Sequence, residues 1–247
     1  VTKVQARRSA DQRQRRVWTA AGVTLIALAA AGVLVGMRSW PHNWKTHYQT
    51  QRQTFRHPVR QLALDLSTGD IALTPGAPGV LQVQRKIKWS GSLPVFDERW
   101  NGDTFHVGDR CPSDAECSIT YAVALPPDVT VTARTREGDI TVHNLSGALA
   151  MNTSAGDISG TGLAGAQITA ATGAGNVQLA FGRAPARVEA VSTAGQVDVN
   201  VPRGQSYLVQ TGAKEGGTSV QVPQSPSAGH LIIARSSAGD VRVGYSN

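Results

Sequence analysis

Asp97, Glu98 and Asp103 gather around Trp100, an arrangement a glycan-cleaving enzyme could use. In such sites one carboxyl protonates the leaving oxygen while a second acts as base or nucleophile. Spacing along the chain does not fix their separation in space, and an exposed turn carrying an aromatic gives the same pattern. A second candidate is a column of polar side chains, each following a glycine: Gly138-Asp139, Gly156-Asp157, Gly175-Asn176, Gly195-Gln196 and Gly239-Asp240. Carboxylates in such a column could serve calcium, which takes six to eight oxygens. One per copy, diluted to Asn and Gln, is too few, and calcium-binding β-rolls repeat every nine residues, about half the spacing here. The ladder therefore reads as turn chemistry, in which glycine takes the left-handed backbone and the next side chain bonds its own turn.

Cys111 and Cys117 enclose Pro112-Ser113-Asp114-Ala115-Glu116 between two strand-like stretches. If this part of the chain lies outside the membrane, a disulfide is expected, and so short a loop adds roughly 2 kcal/mol by chain entropy. A zinc site needs four ligands and could recruit only His106 nearby. His143 and His230 stand alone and read as surface or turn histidines. There is no serine nucleophile elbow, phosphate loop or zinc-protease helix motif. No catalytic residue, cofactor or metal is expected.

The elements that carry these residues repeat. The template is aliphatic-x-small-x-Ser/Thr-x-x-Gly-Asp/Asn/Gln-Ile/Val, as in Val131-x-Ala133-x-Thr135-x-x-Gly138-Asp139-Ile140. From Gly138 to Gly156, Gly175 and Gly195 the steps are 18, 19 and 20 residues. The 44 residues from there to Gly239 fit two longer turns, with a degenerate copy near Gly217 filling the gap. An early variant runs from Leu62 through Gly69-Asp70-Ile71. Each copy is a period-2 strand, a glycine turn and a second short strand, with no helical period. Fixed internal spacing argues for an all-β solenoid of about 18–22-residue coils, each stacked directly on the last at about 4.8 Å. The small inward column of Ala133, Ala170, Ala190 and Ala234 fits a thin core and the 5% aromatic content. Residues 62–126 read as irregular end coils of the same domain.

Charge divides the 247 residues sharply. Residues 1–60 hold 11 Lys/Arg against one acid, whereas residues 61–247 hold 13 against 16, a net −3. A nucleic-acid domain should carry its positive field on the folded part, so nucleic acid is not an expected partner. Val17–Met37 is 21 residues without a charge, enough to span about 30 Å as a helix. Six Lys/Arg precede it and only Arg38, Lys45 and Arg52 follow within a similar distance, which keeps the N-terminus cytoplasmic. Trp18 at one end and Trp40 and Trp44 at the other suit the headgroup layers. A cleaved signal peptide ending near Ala29-Ala30-Ala31 is the alternative. The expected organisation is a basic tail at 1–16, a transmembrane helix at 17–37, a juxtamembrane linker at 38–60 and an extracellular solenoid at 61–247. The linker's basic and aromatic residues could instead touch anionic lipid or wall polymer.

With Cys111 and Cys117 followed by Tyr121-x-Val123-x-Leu125-Pro126 and then the Gly-Asp-Ile repeats, residues 62–247 resemble a bacterial adhesin-like domain of unknown function. Members of that family include membrane-anchored envelope-stress proteins of the Lia type. The resemblance implies a short cytoplasmic tail, one membrane span and a repetitive β ectodomain, and it brings no catalytic residues. The expected function is a membrane-anchored binding or scaffolding protein at the cell envelope, its partner a cell-wall polymer or an envelope protein. Two alternatives stand beside it: a glycan-active β-helix enzyme, and an envelope sensor signalling through its span.

Overall fold

A computed structural model describes residues 45–112 and 116–246. The basic tail, the apolar run, and Trp18, Trp40 and Trp44 lie outside the described residues. Among those described there is no helix long and apolar enough to cross a membrane, and the regular structure is entirely β.

The chain begins with β1 (His47–Phe55), β2 (Gln61–Thr68), β3 (Ile71–Pro75), β4 (Leu81–Ser90), β5 (Val95–Asn101), β6 (Thr104–Arg110) and β7 (Glu116–Leu125). Four regular coils follow: β8 (Thr130–Glu137) with β9 (Ile140–His143), then β10 (Leu149–Ala155) with β11 (Ile158–Leu163). The next are β12 (Gln167–Ala174) with β13 (Val177–Phe181), and β14 (Arg187–Ala194) with β15 (Val197–Val201). Two more coils end the chain: β16 (Leu208–Glu215) with β17 (Thr218–Val220), and β18 (Leu231–Ala238) with β19 (Val241–Tyr245).

Every coil places its first strand in one sheet and its second in the other, so two largely parallel sheets enclose one apolar core. Alternation decides which side chains enter it. On β12, Ile168, Ala170 and Thr172 point inward and are buried, while Gln167 and Thr169 are exposed. Register keeps like on like: Leu149 pairs with Ile168 and Ile168 with Val188, and likewise Met151 with Ala170 and Ala170 with Ala190. The alanine column is fully buried, as the spacing predicts. With so small a side chain on one sheet, the larger Leu179 and Phe181 of β13 fill the space from the other.

The order of coils in space departs from the order in sequence at both ends. β18 and β19, last in the chain, stack directly on β14 and β15, and β16 and β17 lie outside them. The copy ending at Gly216 therefore does not fill the interval between Gly195 and Gly239; it sits beyond Gly239. Composition explains the exchange. The inner position, covered on both sides, takes the more apolar Leu231-Ile232-Ile233-Ala234, whereas β16, with Gln210 and Lys214 exposed, takes the end. The other end mirrors this: β2 and β3 stack on β8 and β9, with β6 and β7 outside them.

Antiparallel strands close that first end. β4 pairs with β7, and β1 with β4, while β5 pairs with β6. Part of the segment read as a juxtamembrane linker is thus a sheet strand, and the compact unit runs from Lys45 to Asn247. β1 carries few aliphatic residues, which is why its strand character was not apparent from hydrophobic pattern: its inner contact is Phe55, set against Trp100 and Phe105 at 5.8 and 5.0 Å between ring centres.

Candidate functional site

The turn ladder bonds between coils, not within each turn as the sequence suggests. The Asp157 amide donates to Asp139 Oδ1 at 2.8 Å, the Asn176 amide to Asp157 Oδ1 at 2.7 Å, and the Gln196 amide to Asn176 Oδ1 at 2.9 Å. The same step joins the Asp139 amide to Asp70 and the Gly217 amide to Asp240. Stacking in register places each of these side chains within hydrogen-bond reach of the amide of the next coil. These oxygens hold the solenoid's edge together. Among the described residues no three His, Cys, Asp or Glu side chains converge as a metal site.

A second ladder runs beside it. Thr153, Thr172, Ser192 and Ser236 donate their hydroxyls to the carbonyls of Gly138, Gly156, Gly175 and Gly195 on the neighbouring coil, at 2.8–3.0 Å. This explains why the repeat demands Ser or Thr there: the position is buried and the glycine carbonyl needs a donor. Thr172→Val keeps the shape and removes the donor. It is expected to lower stability by about 1 kcal/mol, whereas Thr172→Ser retains the bond; urea midpoints at unchanged m-value measure both.

The carboxylates around Trp100 do not converge. Alternation along β5 sends Asp97 outward, where it pairs with Arg99, and Glu98 inward, where it pairs with Arg85. Asp103 pairs with Arg60 at 3.1 Å in the next turn. Trp100 packs toward Phe105, 4.8 Å between ring centres. Each acid of the proposed glycosidase constellation is committed to its own arginine. His143 Nδ1 lies 2.6 Å from Thr161 Oγ1, and His230 Nδ1 lies 2.7 Å from the Pro185 carbonyl.

Cys111 and Cys117 are joined as a disulfide, their Cα atoms 5.8 Å apart. Beside it is a polar cluster that spacing could not reveal, because its members come from three strands, β2, β6 and β7. Ser67 donates its amide and its hydroxyl to Asp109 Oδ1 at 2.6 and 2.7 Å, and its Oγ lies 3.7 Å from Cys111 Sγ. Among the described residues, Asp109 Oδ2 and the Tyr121 hydroxyl are buried without a hydrogen-bond partner. Burial pushes the Tyr121 phenol above its usual range, reinforced by Glu98 and opposed by Arg85, so it stays protonated.

Burial also pushes the Asp109 carboxyl up, opposed by the two Ser67 bonds and reinforced by Asp65. A carboxyl with a raised folded-state pKa holds its proton more tightly when folded. Its stability contribution is therefore best below the unfolded value of about 3.9 and declines as pH rises through the folded value. Asp109→Asn retains both Ser67 bonds through its amide oxygen and removes this dependence. The variant should gain in Tm over the wild type as pH is raised from about 4 to about 7 in matched thermal melts.

Outside the core, the two sheets differ. The ten-stranded sheet presents a row running Ala72, Thr141, Ser159, Gln178, Asp198 and Arg242, one residue per coil in register. The nine-stranded sheet is grooved at its first end by a cavity of about 670 Å³ over β5, β6, β2 and β8. Asp97, Gly108, Asp65 and Arg134 are register partners across these four strands, and Arg99, His106, Ala63 and Thr132 form the next row. Gly108 and Ala63 leave its floor low, with Arg110, Arg134 and Arg136 at its margins. These arginines belong to no motif, and the outward parity of Arg134 and Arg136 on β8 is their one signal in the sequence.

Stacked glycine turns, paired hydroxyl and amide ladders and a parallel two-sheet core define a β-solenoid. The chain belongs to the Toastrack DUF4097 family, whose model matches residues 57–244. Two crystal structures are similar. A candidate cell adhesion protein from Clostridium sporogenes ATCC 15579 aligns with a TM-score of 0.48 at 10% identity, covering 82% of this chain and 100% of its own. A candidate adhesin from Bacteroides fragilis NCTC 9343 aligns with a TM-score of 0.45 at 12% identity, covering 80% and 97%. Comparison with the curated proteins gives no match.

Proposed function

We propose that residues 17–37 anchor this chain in the cell membrane and hold its Toastrack domain outside the cytoplasm, where the solenoid binds or scaffolds envelope material without catalysis. The observation that carries the binding reading is the in-register row from Ala72 to Arg242, which offers one side chain every 4.8 Å or so along the stacking axis. A repeating surface suits a repeating polymer, because successive contacts add without any one being strong. The anchor reading rests on the uncharged run, on the excess of Lys/Arg before it and on tryptophans at both its ends. The disulfide suits an oxidising compartment.

Co-sedimentation of the Lys45–Asn247 unit with isolated cell wall and with anionic liposomes, across salt concentrations, tests the binding. Retention in the wall pellet is the expected result. If neither surface retains the unit, direct recognition of wall or lipid fails, and a protein partner takes its place.

A further inference from the structure

The groove over β5, β6, β2 and β8 departs from the rest of the domain in charge. Residues 61–247 carry 13 Lys/Arg against 16 Asp/Glu, yet four arginines meet at this one cavity. Arg99 is neutralised by Asp97. Arg110, Arg134 and Arg136 have no hydrogen-bond or ion-pair partner among the described residues, and all three are exposed. Against them stands Asp65, also exposed, since Asp109 turns inward to Ser67. Arg134 and Arg136 alternate on β8 and so point to the same side, about 7 Å apart along the strand. Three unpaired guanidiniums along one groove repel one another in the free protein, and a bound anion relieves that repulsion.

We propose that this groove is a binding site for an anionic glycan, whose phosphate or carboxylate groups are held by Arg110, Arg134 and Arg136. A guanidinium presents a planar fork of donors that matches either group with two parallel hydrogen bonds. The neutral part of the ligand has partners too. Thr132, His106 and Asp65 line the same cavity and supply donors and acceptors for sugar hydroxyls. The floor at Ala63 and Gly108 carries no long side chain, so a chain can lie along it. Among the described residues no Phe, Tyr or Trp lines the groove, so a single-stranded nucleic acid would find only the His106 imidazole to stack on. This inference adds a second site, on the nine-stranded sheet and not on the row of the ten-stranded one, and rests on the binding reading above for where such polymers are met. The chemistry of the groove is independent of how the chain sits in the membrane.

The test uses the full chain in non-ionic detergent micelles and fluorescently labelled poly(glycerol phosphate) and polygalacturonate, which separate phosphate from carboxylate as the source of charge. Anisotropy titrations compare the wild type with Arg110→Gln/Arg134→Gln/Arg136→Gln and with Arg183→Gln/Lys214→Gln/Arg235→Gln. The second variant loses the same charge at exposed positions outside the groove. The basic N-terminal segment is common to all three, so its contribution cancels in the comparison. Exposed substitutions of this kind leave the urea midpoint nearly unchanged, which a parallel unfolding curve verifies. The groove variant should bind at least one polymer about tenfold more weakly, and the control variant should match the wild type. Equal weakening in both variants, no weakening in the groove variant, or no binding of either polymer by the wild type overturns the proposal. So does an oligo-dT strand bound as tightly and with the same dependence on the three arginines. Failure here leaves the wall and topology experiments untouched, and their failure leaves this one readable.

Discussion

Gly175→Ala lowers the stability of the solenoid by about 4 kcal/mol, a sum of backbone strain and overpacking that approaches the whole margin of an ordinary domain. Gly175 has φ +146°, a conformation L side chains rarely adopt, and a Cβ built on it would lie 2.6 Å from the Gly156 carbonyl carbon and closer still to its oxygen. Neither coil can move aside. Gly156 meets Gly138 in the same way, and Gly195 meets Gly175, so the turns form one rigid column. Gly79→Ala separates strain from contact, because Gly79 has φ +69° with nothing within 4 Å of its would-be Cβ. That change should cost only about 1 kcal/mol. Urea unfolding of Lys45–Asn247 by circular dichroism measures both, and equal midpoints for the two variants would mean that the turns are not stacked in contact.

Glu98→Ala should cost about 3 kcal/mol, for a different reason. Arg85 and Glu98 pair inside the first end of the solenoid with side chains only 12% and 14% exposed. Arg85 lies over the Phe96 ring at 4.4 Å and donates to Gln51 at 2.6 Å, so it is held in place by packing and cannot follow the lost carboxylate into water. An uncompensated buried guanidinium is expensive, whereas removing both charges is not. Arg85→Met/Glu98→Leu should therefore regain most of the loss in the same unfolding assay. If Glu98→Ala is neutral, the pair is solvated and contributes little to holding β4 against β5.

Much of this fold was legible because a solenoid repeats its physics. The alternation of Ile168, Ala170 and Thr172, and its recurrence as Val188, Ala190 and Ser192, is enough to give strand, inward face and register. What alternation cannot give is which copy lies next to which once the connections lengthen. The exchange of the Gly216 and Gly239 coils follows from their relative apolarity, a comparison between copies and not a feature of either. The ladder residues from Asp139 to Asp240 are recognisable in the sequence, but their amide partners lie on the neighbouring coil, which a single copy does not show. A turn seen alone offers only its own amides, whereas the stacked coil offers a better one. At the first end the sequence was least informative. Asp97 and Glu98 are adjacent in the chain and opposite in space, and the Ser67–Asp109 contact spans 42 residues. The groove arginines lie on β5, β6 and β8, far apart in the chain, and only the pairing of those strands through β2 brings them together.

The central claim is a membrane-anchored domain held outside the cytoplasm, and site-directed labelling in intact cells tests it most directly. Ser9→Cys places a thiol in the basic tail and Gln224→Cys places one at an exposed position of the solenoid. A membrane-impermeant maleimide should label Gln224→Cys in intact cells and Ser9→Cys only after lysis, with both proteins recovered in the membrane fraction. Labelling of Ser9→Cys but not Gln224→Cys before lysis, or recovery of the chain in the soluble fraction, would contradict the account.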